Sequence, residues 1–349
     1  MSLFARVAIL PLLCGLAAPS PGQTLERAGR LNQEGAERLR AGNPAEALEK
    51  FLAAARLAPD DPALQFNIGL TLFQLGRWDE ALAPIEKSIA HPPSAAQARY
   101  LRGAIHFQRN DFAACAGDLE LVRGDPRFAE QALFMLVESY RRSGNAAASQ
   151  AAFLELERRY PDSAFLHKLM GMAYDQQEMP AKALEEFEAA LRVRPDMPDV
   201  AFGIGYIHFK QASLAEARRW FLQELRVQPC FARAHYYLAE IDRAAEAWDK
   251  AASSYTRALE CDPDLGDALL GLGDVAERQN DLPEAIRRYQ AAVKRMPEDS
   301  KARFKLANSL RRAGRQDEAS VELARAKDLY RKEQAQQAGE RKKRRERER

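Results

Sequence analysis

Five prolines, Pro161, Pro195, Pro229, Pro263 and Pro297, stand 34 residues apart in this sequence. Within the intervals an alanine and an aromatic return at fixed places: Ala183 and Phe187, Ala217 and Phe221, Ala251 and Tyr255, Ala285 and Tyr289. A period of this length predicts stacked supersecondary units, each packed on its neighbours and not on one central core. The two or so globular domains expected for 349 residues are therefore not the right expectation here.

Anchoring each proline at the thirty-second slot extends the register to nine units, which begin at Ala28, Pro62, Ala96, Glu130, Ala164, Pro198, Ala232, Gly266 and Ser300. Slot eight then holds Gly35, Gly69, Gly103, Val137, Gly171, Gly205, Ala239, Gly273 and Ala307. Slot twenty holds Ala47, Ala81, Cys115, Ser149, Ala183, Ala217, Ala251, Ala285 and Ala319. Slot twenty-four is large: Phe51, Ile85, Leu119, Phe153, Phe187, Phe221, Tyr255, Tyr289 and Leu323. No window alternates with the two-residue period of a strand, so each unit reads as two helices, A and B. Close helix crossing requires small residues at slots eight and twenty, and slot twenty-four should fill the remaining gap and touch the next unit. Proline at slot thirty-two ends helix B. Thr24 is expected to cap the first helix, and Asp60, Asp162, Asp196 and Asp264 to start later A helices. Asn43-Pro44, Met179-Pro180 and Leu282-Pro283 mark fresh helix starts.

This pattern of small residues, aromatic and terminal proline resembles the tetratricopeptide repeat (TPR). The resemblance implies an all-α, right-handed superhelical solenoid of about nine helix-turn-helix units over residues 23–333. Its departures are few: repeat four has Val137 at slot eight, repeat three has Arg127 where proline is expected, and Glu34 is polar in repeat one. Altered pitch is expected in repeats three and four.

The first 22 residues read as an export signal. Arg6 precedes the apolar run Val7–Ala18, and Ser20-x-Gly22 offers a cleavage site. Twelve apolar residues are too short for a span, which takes roughly 20. The expected location is therefore exported, periplasmic or secreted. At the other end, residues 334–349 form a basic tail that is disordered or extends the last helix. Gly339–Arg349 carries seven Lys/Arg and three Glu, whereas the whole chain has a formal net charge of only +2. A polar terminal cap is the favoured role, and Arg341–Arg349 could also meet an anionic membrane surface. Nucleic acid is disfavoured because no aromatic accompanies the basic residues. Among the four cysteines, Cys14 lies in the apolar run and Cys115 should be buried in slot twenty. Cys230 and Cys261 end neighbouring repeats, but spacing alone establishes no bridge, and an unpaired state is the favoured reading.

No catalytic or metal-binding arrangement emerges from the sequence. His167 and His235 share slot four, His106 and His208 slot eleven, all positions for packing side chains, and no metal-ligand spacing joins them. The run Gly266–Gly273 falls within a helix A and lacks the Gly-Lys-Ser/Thr ending of a phosphate loop. The expectation is a non-catalytic scaffold without cofactor or metal.

The resemblance implies binding in a concave groove lined by slots two, five, nine, twelve and thirteen of helix A. Slot five holds Asn32, Phe66, Tyr100, Phe134, Lys168, Phe202, Tyr236, Leu270 and Phe304, and slot twelve adds Phe73, Phe107 and Phe209. With Tyr206 and Tyr237, repeats six and seven carry the densest aromatic face. A protein or peptide segment is the expected partner, with the rings as its anchors. The lysine and asparagine set that grips a peptide C-terminus in some relatives is absent, since slot nine starts Ala36, Leu70, Ala104. The alternative function is an electrostatic tether through the tail to an anionic surface.

Overall fold

The computed structural model describes residues 21–347, so the proposed export signal lies almost wholly outside the described residues. Eighteen α-helices and no strand occur among them. They form two compact units, one running to Pro161 and one from Asp162 onward.

The first unit contains α1 (Pro21–Arg40), α2 (Pro44–Ala55), α3 (Pro62–Gln74), α4 (Trp78–Ile89), α5 (Pro92–Gln108), α6 (Phe112–Glu120), α7 (Ala129–Arg142) and α8 (Ala146–Arg159). The second contains α9 (Ala164–Gln176), α10 (Pro180–Val193), α11 (Val200–Lys210), α12 (Leu214–Val227) and α13 (Ala232–Ala244). It continues with α14 (Trp248–Cys261), α15 (Gly266–Arg278), α16 (Leu282–Arg295), α17 (Ser300–Arg312) and α18 (Gln316–Arg347). Odd-numbered helices are A and even-numbered helices B. Within each unit a helix packs on its hairpin partner and on the next repeat.

Why the small slots must stay small is visible in the side chains. A methyl at Gly69 would lie 2.4 Å from Ile85, at Gly171 2.6 Å from Phe187, and at Gly273 2.3 Å from the Tyr289 ring. Slot eight is thus vacated chiefly for the slot-twenty-four side chain of its own hairpin, rather than for slot twenty alone. The same large side chain reaches the following repeat, as expected: Phe187 abuts Gly203 and Tyr255 abuts Gly271. Repeat four shows the converse. With Val137 filling slot eight, Phe153 is only half-buried, whereas Phe51, Phe221, Tyr255 and Tyr289 are fully enclosed.

Slot fifteen carries a constraint that the residue types do not announce. Gly42, Gly76, Asn110, Gly144, Glu178, Ala212, Glu246, Asn280 and Gly314 all have φ between 56° and 79°, one per repeat. In each case the next residue donates back across six residues, as Asn43 to Arg38 and Ala247 to Asp242. This Schellman closure satisfies carbonyls that the end of helix A leaves open. Only four of the nine are glycine, because the closure recovers much of the roughly 1–2 kcal/mol that a left-handed residue with a side chain costs.

Three local expectations need correction. Thr24 lies inside α1, which begins at Pro21. The capping side chains are not Asp60, Asp162, Asp196 or Asp264. Asp61, Ser163 and Asp299 accept from the first-turn amides of α3, α9 and α17. Third, Cys230 and Cys261 form a disulfide, with Cα atoms 5.2 Å apart. It ties the entry of α13 to the end of α14, a geometry invisible in spacing. Closing a loop of this size, 31 residues in sequence, contributes about 4 kcal/mol in the chain-entropy description. Cys115 is free and buried; burial pushes its thiol up to about 11, despite the hydrogen bond from Ser139.

Two measurements check this packing. Gly273→Ala should destabilise the protein by about 1–3 kcal/mol in urea denaturation, although alanine is the better helix former, because the ring beneath it has nowhere to go. Gly117→Ala, in α6 with nothing within 4 Å of the new methyl, should instead gain up to about 1 kcal/mol. In a Cys14→Ser background, Ellman titration should find no reactive thiol in the native protein. It should find one in denaturant and three after reduction; a native thiol signal would refute the bridge or the burial of Cys115.

Candidate functional site: the A-helix faces

In the first unit the A helices bring Phe66, Phe73, Tyr100, Phe107 and Phe134 to a half-buried condition. None is free-standing. Tyr100 stacks on Phe128 with centroids 4.8 Å apart, and Phe107 meets Phe112 edge-on at 5.9 Å. The Arg142 guanidinium lies 5.6 Å from the Phe107 centroid and 5.3 Å from that of Phe112. Asn32 accepts a 2.9 Å hydrogen bond from Asn67, joining repeats one and two. The first unit thus presents rings edged by fixed polar groups.

The aromatic group of repeats six and seven is denser and more inward than the sequence suggested. Phe202 is only 6% exposed and belongs to the core. It packs against Phe221, Phe231 and Tyr237 at 5.5, 5.0 and 5.8 Å, with Arg233 4.7 Å from its ring centroid. Its assignment as a direct anchor is therefore corrected: Phe202 is the base on which half-buried Tyr206 and Tyr237 rest. Tyr237 gathers the half-buried rings, lying 5.3 Å from Tyr206, 5.0 Å from Phe209 and 5.1 Å from Tyr236. Burial, followed by the charges of Glu240 and Asp267, raises the Tyr236 phenol, so it stays protonated and donating. Phe304 is the opposite case, 51% exposed.

Charged groups on the same faces were missed, because each looks like an ordinary surface residue in sequence. Lys168 donates to the Pro198 carbonyl at 2.8 Å and to Asp199 at 2.9 Å, and Lys210 bridges to Asp175 across the same two repeats. Asp199 has φ 67°, the one left-handed side-chain-bearing residue among those described that lies outside slot fifteen. Its cause is Glu224, the one charged residue in a slot filled elsewhere by Ala54, Ser88, Val122, Leu156, Ala190, Ala258, Ala292 and Ala326. The fully buried Glu224 carboxylate accepts from the Asp199 and Phe202 amides at 2.9 and 3.0 Å and from Gln228 at 2.7 Å. A buried carboxylate is tolerable where a helix N-terminus and several donors meet it. It delays the start of α11 to Val200 and turns Asp199 toward Lys168.

Repeats seven to nine differ again. The Tyr255 and Tyr289 hydroxyls emerge between their own helices to hold acids of slot nine, Tyr255 donating to Glu240 and Tyr289 to Asp274 at 2.7 Å. Arg243 pairs with Glu240 at 2.6 Å, Lys305 with Asp274, and Arg312 with Glu277 at 2.6 Å. Burial first, then these carboxylates, raises both phenols. Among the described residues no group of three or more His, Cys, Asp or Glu could hold a metal. His167 is engaged by Glu186 at 2.7 Å and His235 by the Pro229 carbonyl at 3.0 Å, consistent with packing roles.

The nine hairpins, their slot chemistry and their repeated turn meet one comparison that decides the family. A family profile described as tetratricopeptide repeat matches residues 32–92, 168–229 and 270–333, more than half the chain. A second profile of the same description matches 131–163, the repeat with Val137. The chain belongs to the tetratricopeptide repeat family. It is 23% identical over 171 residues to the type IV pilus assembly protein PilF of Pseudomonas aeruginosa, covering 44% of this chain and 62% of that one. It is also 23% identical over 306 residues to a TPR repeat-containing protein of Methanocaldococcus jannaschii, covering 79% and 51%. The chain thus spans less than two thirds of either relative's length. A crystal structure of MamA, 17% identical, matches 48% of this chain and 97% of its own with a TM-score of 0.42.

On the TPR faces, Asp199 has a distinctive pH signature. Burial alone would raise its carboxyl, but the charge and hydrogen bond of Lys168, the hydrogen bond of Gln228 and the charge of Arg233 outweigh it and hold it below 3.8. A lowered folded-state value means that the ionised form stabilises the fold above the unfolded value, and that this contribution disappears as pH falls through the folded one. Asp199→Asn should therefore cost stability at neutral pH, with the difference from wild type shrinking as pH drops below 3.8. Urea titrations over this range test it; a pH-independent difference would refute the ion-pair account.

Proposed function

We propose that this TPR chain is a non-catalytic scaffold that binds an extended or helical protein segment along its A-helix faces. One observation carries the reading: Phe66, Phe73, Tyr100, Phe107, Phe134, Tyr206, Phe209 and Tyr236 on the A helices are half-buried, and several of these rings are held by a neighbouring ring or cation. A ring fixed in this way keeps its apolar surface without rotamer freedom to lose, so a partner gains contact area at low entropic cost. The available anchors are Phe66, Phe73, Phe107, Phe134, Tyr206, Phe209, Tyr236 and Phe304, with Tyr100 backed by Phe128. Similarity to a protein named for pilus assembly is compatible with an assembly role, and the partner's identity is a matter for capture experiments.

We also assign the protein to an oxidising, extracytoplasmic setting. The disulfide between Cys230 and Cys261 supports this, because such bonds persist outside the reducing cytosol. The apolar run of the first 22 residues points the same way, and no described helix is long and apolar enough to cross a membrane.

A second reading has one observation behind it. Helix α18 runs 32 residues where α16 has 14, carrying the basic sequence on to Arg347 as continuous helix. That extension could tether the chain to an anionic surface, in which case association would fall steeply with salt.

Photo-crosslinking separates the readings. Benzoylphenylalanine in place of Phe107 or Tyr206 should give a discrete partner adduct in an envelope extract. The same group in place of Leu154, exposed on helix α8, should not. Adducts that are equal at all three sites, or that vanish only when Gly339–Arg349 is deleted, would overturn the groove assignment.

A further inference from the structure

Beside Trp248 the A-helix face of repeats seven to nine forms a shallow, open cleft of about 340 Å³. Its hydrogen-bonding groups are not evenly committed. Asp274 accepts from Tyr289 and Lys305, and Glu277 accepts from Arg312 at 2.6 Å and Ser309 at 3.2 Å. Both acids are thus engaged within the fold, while the cations keep donors to spare: an ammonium has three and a guanidinium five. Lys305 gives one to Asp274 and Arg312 one to Glu277, while Arg243 gives two to Glu240. Arg278 reaches only Glu246, at 4.0 Å, and otherwise lies 5.5 Å from the Trp248 ring centroid with 61% of its side chain exposed. The cleft lining therefore sets four cations against two carboxylates, an excess of positive charge and of donors.

We propose that this cleft takes the acidic side chains of a peptide segment. Arg278, Lys305 and Arg312 supply the donors, and Trp248 is the platform for an apolar residue beside the acids. The proposal rests on the reading that A-helix faces bind protein segments, and it adds the partner's chemistry. Charge pattern favours a peptide over a nucleic acid: Lys305 and Arg312 stand beside Asp274 and Glu277, so spaced carboxylates fit where a continuous polyanion would meet repulsion. The hydroxyls of Tyr255 and Tyr289 keep the internal acids in place, so the donors are presented without rearrangement.

The test uses fluorescence anisotropy with the full chain and a fluorescein-labelled heptapeptide, Leu-Glu-Asp-Leu-Glu-Asp-Leu. Wild type should bind it, and the Gln/Asn version of the peptide should bind at least about tenfold more weakly, as expected for charge-assisted pairs. Arg278→Ala and Arg312→Ala should each weaken binding about tenfold, with unchanged melting curves. Arg278→Lys should restore part of the loss, and Arg257→Ala, outside the cleft lining, should have no effect. The proposal is overturned if the amide peptide binds equally, if the double variant Arg278→Ala/Arg312→Ala binds like wild type, or if an oligonucleotide of matched charge competes equally. Failure of the peptide while partner adducts still form at Tyr206 would reject the cleft chemistry alone. Loss of those adducts with peptide binding intact would reject the wider groove reading and leave the cleft standing.

Discussion

Six of the nine hairpins depend on one steric relation, a large slot-twenty-four side chain seated against a slot-eight glycine that has no room for another group. The contacts are so close that a single methyl at Gly69, Gly171 or Gly273 would fall well inside van der Waals distance. Because the same side chain touches the following repeat, one contact sets both the crossing within a hairpin and the stacking between hairpins. Repeat four is the case in which the relation fails: Val137 occupies the space and Phe153 remains partly outside. This repeat matches a different profile from repeats one, two, five, six, eight and nine, in agreement with its altered packing.

The A-helix faces are built on this frame, and they are not uniform. In the first unit the rings carry cations on their edges. In repeats six and seven buried Phe202 backs Tyr206 and Tyr237, and Tyr237 in turn meets Phe209 and Tyr236. In repeats seven and eight the slot-twenty-four residue is itself a tyrosine, which sends its hydroxyl out of the core to hold an acid on the face. A core residue thereby positions a surface charge, so that packing and recognition share a side chain.

Much of this was legible in the sequence because a repeat displays its own constraints nine times over. Small residues at slots eight and twenty, the large residue at twenty-four and the break at thirty-two identify a family that the profile comparison shows. The aromatic candidates are half-buried with two exceptions. What failed was discrimination among them: Phe202 and Phe304 share slot five, yet one is core and the other exposed, because the rings of Phe231 and Tyr237 cover the first alone. Slot fifteen was overlooked for a different reason. Its constraint is a backbone angle, and glycine, asparagine, glutamate and alanine all meet it once the turn is closed by hydrogen bonds.

The sequence by itself determined the helical register, the repeat number and the places where large side chains must be seated, since these arise from local periodicity and volume. Only the tertiary structure decided which polar groups meet. Glu224 reads as a lapse in an uncharged slot until its carboxylate is seen beneath the start of α11. Asp199 reads as another surface acid until that cap turns it toward Lys168. Cys230 and Cys261 become a bridge only when two helix ends lie 5.2 Å apart. Periodicity is carried by neighbours along the chain, whereas pairing depends on directions and distances across it, and those exist only after the hairpins have stacked.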